Sequence, residues 1–189
     1  MKRILLLAIL ALAACKEEAA APPPPATMTA EAAGHFCQMD LLEHPGPKAQ
    51  VHLDGMPHPL FFSQVRDAEA YRRMPEQSHA IRAIYVSDMA VAPDWENPGA
   101  DNWITASSAI YVVGAAIVGG MGAQEFVPFS DRAAARDFAD RHGGVLMDMD
   151  DIPDHLVFAP ENAPENAPSG DDDSEYLDRL RAITNTSGG

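Results

Sequence analysis

VPFSDRAAARDFADRHGG, residues 127–144, is the most structured string in this chain. Glu125 to Phe129 (EFVPF) reads as a strand and Ser130 as the cap of a helix running through Arg141. His142-Gly143-Gly144 stops that helix, and Val145 to Met149 follows as a short strand. An earlier stretch repeats the plan. Pro59 to Ser63 (PLFFS) is a strand, and a helix spans Val65 to Met74 before Pro75 ends it. Tyr71 follows Phe62 by nine residues, and Phe138 follows Phe129 by nine. A glycine-methionine pair, Gly55-Met56 or Gly120-Met121, precedes the strand in each case. The expectation is an α+β protein made of two similar ββα(β) halves packed together.

Working outward, Lys48 to Leu53 (KAQVHL) alternates as a strand should, and Asp54-Gly55 is a turn signal. Ala80 to Asp88 is rich in β-branched residues, and Ala109 to Val113 is an apolar strand. Between them runs a loop with Pro93, Pro98 and Gly99 that holds Trp95 and Trp103. Those tryptophans either pack between the halves or mark a docking surface. The folded region is 34–159, its halves about 34–92 and 103–159.

The ends carry targeting rather than fold. Met1-Lys2-Arg3 is basic, and Ile4 to Ala14 is apolar but too short to span a bilayer, so 1–14 reads as an export signal. Leu12-Ala13-Ala14-Cys15 matches a lipobox, which makes Cys15 the lipidation site. Residues 15–33, with four consecutive prolines, form a semi-rigid tether. The segment 160–189 repeats ENAP and then turns acidic, with room for a short helix from Ser174 to Ile183. Formal net charge is −15; without Lys2 and Arg3 it is 11 basic against 28 acidic residues, −17. Such a surface repels nucleic acid and anionic lipid, so membrane attachment falls to acyl chains. The location that follows is the periplasm, on a membrane anchor.

With Cys15 acylated, Cys37 is the only free thiol among two cysteines, and no internal disulfide can form. It sits in His35-Phe36-Cys37-Gln38-Met39. In an extended segment a thiolate and a thioether two residues apart project to one side. Soft sulfur donors select Cu(I). The competing reading is two ordinary core residues. Gly119-Gly120-Met121-Gly122 is the second feature: glycines allow positive φ and leave Met121 free to project, as a ligand or as core. Cys37, Met39 and Met121 together would make a three-coordinate Cu(I) site. His35 is the weaker candidate ligand among seven histidines. Met147 and Met149 alternate with aspartates and read as core. No nucleophile motif, phosphate loop or dinucleotide fingerprint is present, so the expectation is not an enzyme. A metallochaperone is favoured over a metal-free assembly scaffold on a lipid anchor. A thiol redox enzyme would need a second free cysteine.

These residues resemble the NosL family. The likeness rests on the lipobox, Cys37-Gln38-Met39 followed by Pro45-Gly46, KAQVHLDG, the FFS-helix segment, YVVG, GGMG and VPFSDRAAARDFADRHGG. It implies a Cu(I) chaperone that serves the copper–sulfur cluster of periplasmic nitrous-oxide reductase. Delivery would run through a membrane assembly complex with a periplasmic docking subunit. It carries the family's CxM pair onto Cys37 and Met39 and its glycine-flanked methionine onto Met121. The family usually has glycine where this chain has Gln38. The acidic C-terminal segment is not explained by the resemblance.

Overall fold

The computed structural model describes residues 21–158. The signal, Cys15 and the C-terminal segment lie outside the described residues. β1 (Ala49–Leu53) is flanked by β2 (Leu60–Phe62) and β3 (Ile81–Ser87), and α1 (Val65–Arg73) connects those two flanking strands. β4 (Trp103–Thr105) then pairs with β3, completing a four-stranded antiparallel sheet in the order β2-β1-β3-β4. The second half repeats the pattern. β5 (Ile110–Val113) lies between β6 (Val127–Phe129) and β7 (Val145–Met147), with α2 (Arg132–His142) between β6 and β7. The chain closes with the short α3 (Asp154–Val157). Two sheets with the same ββαβ order account for the duplication read from the sequence.

The nine-residue spacing has a physical basis. It sets an aromatic at the end of a strand under an aromatic on the following helix. Phe62 and Tyr71 have ring centroids 5.5 Å apart, and Phe129 and Phe138 are 5.3 Å apart. Each pair closes its helix onto its own sheet.

Three expectations change. Ser130 does not cap α2; Asp131 does, its side chain accepting from Ala134 N–H. Trp103 belongs to β4, with Ser87 opposite it in the register, so residues 103–105 complete the first sheet rather than open the second half. Met149 leaves the last strand, which ends at Met147, and is buried in a 3-10 turn (Met149–Asp151).

β1 is buried along its whole length, and its two faces meet different partners. Ala49, Val51 and Leu53 point into the main core, which continues across the halves to Tyr111, Val113, Phe126 and Ile152. Gln50 and His52 alternate with them, and on that side the end of the presumed tether is laid down. Gln50 pairs with Ala26 through both backbone groups, at 2.8 and 3.0 Å, and Tyr85 donates to Pro23 C=O. Met28, Ala32 and Leu41 bury against Phe61 and Trp103. Residues 23–33, read as tether, are therefore part of the fold. The reason is local: a buried glutamine needs two partners, and an extended backbone supplies both. Among the described residues no helix is long and apolar enough to cross a membrane.

Candidate metal centre

Cys37 lies on a tight turn, not on an extended segment. Gln38 N–H donates to Gly34 C=O at 2.8 Å, Gly34 N–H to Met39 C=O at 2.9 Å, and Ala33 bridges Asp40. Gln38 has φ +57°, the left-handed region, so Cys37 and Met39 do not simply face the same way as strand neighbours. The Gln38 carboxamide holds the turn by donating to His35 C=O at 2.7 Å. The thiol folds back over Gly34, where a Cβ would stand 2.5 Å from Sγ, and lies 3.6 Å from the Ser63 hydroxyl. Cys37 is half-buried, Met39 is 43 % exposed, and Phe36 beside them is 48 % exposed. The His35 ring packs against Phe36, Phe62 and Tyr71, at centroid distances of 5.4 to 5.5 Å.

The loop carrying Met121 comes from the second half and seats on the first. Met121 N–H donates to Gln64 Oε1 at 2.9 Å, and Gln64 Nε2 donates to Ala123 C=O at 3.4 Å. His44 Nδ1 donates to Gly120 C=O at 3.0 Å, and its Nε2 is buried without a protein partner. The glycines serve close approach more than turn freedom. A Cβ on Gly119 would stand 2.6 Å from Glu125 and 2.7 Å from Gln64, and one on Gly120 would stand 2.6 Å from His44 Cβ. Gly122 alone of the three needs positive φ, at +81°.

The turn of Cys37 and Met39 and the loop of Met121 thus converge on the consecutive residues Ser63 and Gln64, both buried. Sequence reasoning missed Ser63, Gln64 and Glu125. Under the loop, Glu125 is fully buried; one oxygen accepts from Arg66 and Phe126 N–H and the other has no partner. Burial pushes its carboxyl up to about 8, against the pull of those two N–H groups. Burial lowers Lys48 to about 8, opposed by the charge of Glu125. Lys48 Nζ donates to Pro45 and Gly46 carbonyls, leading into the same region. Among the described residues no three His, Cys, Asp or Glu side chains gather into a metal cluster.

The NosL family model matches residues 25–157. The chain belongs to the NosL family. The match begins within the segment that docks on Gln50, so the family unit includes that segment. A copper-binding lipoprotein NosL from Achromobacter cycloclastes is 53 % identical over 163 residues, covering 86 % of this chain and 83 % of that protein. Its counterpart from Stutzerimonas stutzeri is 32 % identical over 124 residues, covering 65 % and 63 %. The crystal structure of the copper chaperone NosL from Shewanella denitrificans superposes with a TM-score of 0.65 at 31 % identity, covering 70 % of this chain and 98 % of that one. These relatives are named for copper and for a lipoprotein, none for a catalysed reaction.

Proposed function

We propose that this NosL-family chain is a copper chaperone that carries Cu(I) on Cys37, Met39 and Met121. The observation that carries the reading is the convergence of the Cys37–Met39 turn and the Met121 loop on Ser63 and Gln64. With no His, Cys, Asp and Glu cluster among the described residues, the donors to hand are a thiolate and thioethers. That set is soft and favours Cu(I) over zinc or the hard cations. Exposure of Met39 and half-exposure of Cys37 fit a cargo site, where an acceptor ligand enters before a donor leaves. Copper is cargo here, so a resident, closed coordination shell would defeat the purpose. His35, with its ring packed edge-on or tilted against Phe36, Phe62 and Tyr71, is the weaker candidate.

The setting completes the proposal. Cys15 is acylated, the protein works on the periplasmic side of a membrane, and the acyl chains hold it there. The client is nitrous-oxide reductase, whose catalytic copper–sulfur cluster is matured through a membrane assembly complex with a periplasmic docking subunit. The support for client and complex is membership of the NosL family together with the lipobox at Cys15.

The test is competition for Cu(I) between the full chain and a chromogenic Cu(I) chelator. Cys37→Ala should abolish tight binding while the metal-free protein keeps its melting temperature within a few degrees. Unchanged copper affinity in Cys37→Ala, with a large fall in melting temperature, would instead make the thiol a packing residue and the protein a scaffold.

A further inference from the structure

Gln64 stands at the N-cap of α1, yet its side chain makes no capping bond. The duplication makes this unusual, because the equivalent residue is known. Phe62-Ser63-Gln64 corresponds to Phe129-Ser130-Asp131. In the second half Asp131 caps its helix through Ala134 N–H at 2.8 Å. In the first half the residue at that place has turned away from its own helix. Its carboxamide is wholly buried and spans the loop of the other half, accepting from Met121 N–H and donating to Ala123 C=O. Those two partners fix which end is oxygen and which nitrogen, since a backbone N–H only donates and a carbonyl only accepts. The preceding residue, Ser63, places its hydroxyl 3.6 Å from Cys37 Sγ.

We infer that Ser63 and Gln64 are positioning residues for copper, a two-residue bridge that sets the Cys37 sulfur and the Met121 backbone in one fixed relation. The inference rests on the metal reading given above. A helix cap contributes about 1 kcal/mol, and α1 forgoes it so that Gln64 can hold a loop 57 residues away in the sequence. Burial makes the arrangement stiff: the carboxamide cannot leave Met121 N–H without leaving its own buried oxygen unpaired. Neither residue touches copper in this scheme. Each holds a donor-bearing backbone or sulfur where the metal will bridge the two halves.

Gln64→Ser tests it, because serine restores a capping side chain to α1 and removes the clamp. Cu(I) affinity of the full chain, measured by chelator competition, should fall by about tenfold, the scale of one net hydrogen bond. The metal-free melting temperature should move by only a few degrees. Gln64→Ser should add no further loss in a Met121→Ala background, because both changes remove the same ligand. X-ray absorption at the copper edge should show one sulfur fewer in Gln64→Ser. Ser63→Ala should lower affinity severalfold and keep the sulfur count. Wild-type affinity in either variant, or losses from Gln64→Ser and Met121→Ala that multiply, would overturn the bridge. If Cys37→Ala and Met121→Ala both bind copper like wild type, the metal reading itself fails. If those two lose copper and Gln64→Ser does not, the bridge alone fails.

Discussion

Gln38 is the one non-glycine residue with positive φ among the described residues, and it lies between the two sulfur residues of the turn. A left-handed L-residue costs about 1–2 kcal/mol. The Gln38 carboxamide recovers part of this through its bond to His35 C=O. That bond lets a non-glycine residue hold the turn. Gln38→Gly should leave stability within about 0.5 kcal/mol of wild type, as strain relief offsets the lost bond and the freer unfolded chain. Gln38→Val should lose about 1–2 kcal/mol, because a β-branched side chain tolerates this conformation worst. Denaturant midpoints of the metal-free variants decide it, and equal losses in both would mean that the left-handed turn is not kept in solution. Cys37 is singled out in the sequence because a lone free thiol in a chain read as exported calls for a reason, and the structure places it on a turn beside Ser63. Ser63 and Gln64 were not. Their roles depend on contacts made across 26 and 57 positions, and a buried glutamine has no pattern of its own. The one available signal was the mismatch of Gln64 with Asp131 in the duplicated segment.

At the scale of elements, α1 and α2 are each held to their half by an aromatic pair and differ in their capping. Asp131→Ala should cost about 1 kcal/mol of unfolding free energy, while Ser130→Ala, exposed and outside the cap, should cost almost nothing. Reversed magnitudes would return the cap to Ser130. Helix α1 relies on charge instead. Glu69 is fully buried and accepts from Arg72 Nε at 2.7 Å and Arg73 Nε at 2.6 Å. Arg72 continues to Asp150 at 3.0 Å and Arg73 to Asp154, so the network ties α1 to the segment after β7. Glu69→Ala removes the buried carboxylate that joins the two guanidinium groups, while Asp150 and Asp154 still pair with them, and should lower stability by about 1.5–3 kcal/mol, read from denaturant unfolding; a loss below about 1 kcal/mol would show that water serves those arginines as well. Strands and helices were readable because their periods and the Phe-Ser repeat are local. β4 was not, since its three residues pair with β3 across a loop rich in proline and glycine. The docking of residues 23–33 was hidden for a related reason: composition marks a tether, but Gln50 and Tyr85 supply it with specific partners.

Across the whole molecule, the halves share one core and one buried polar seam, and the seam lies beneath the Met121 loop. Trp95 lies beside it in the second half's own apolar cluster, with Gly46 against its ring and Phe138 stacked at 6.3 Å. Glu125 makes the seam sensitive to pH. Its carboxyl rises from the ordinary 4.5 to about 8, chiefly through burial, so the folded state holds this proton more tightly than the unfolded chain does. The stability linked to that proton is complete below about pH 4.5 and is lost as pH rises through 8. Between those limits the unfolded chain has released the proton and the folded one keeps it, which gives a slope of about 1.4 kcal/mol per pH unit. Lys48, lowered to about 8, stays charged in both states over most of that window and adds little slope. Glu125→Gln keeps the acceptor for Arg66 and Phe126 N–H and cannot ionise. Its unfolding free energy, relative to wild type, should therefore increase as pH goes from 5 to 8. The difference between the two proteins isolates Glu125 from the many surface carboxylates, which both share. Parallel pH profiles would mean that Glu125 reaches water or a counter-charge in solution, and that the seam under the loop is open.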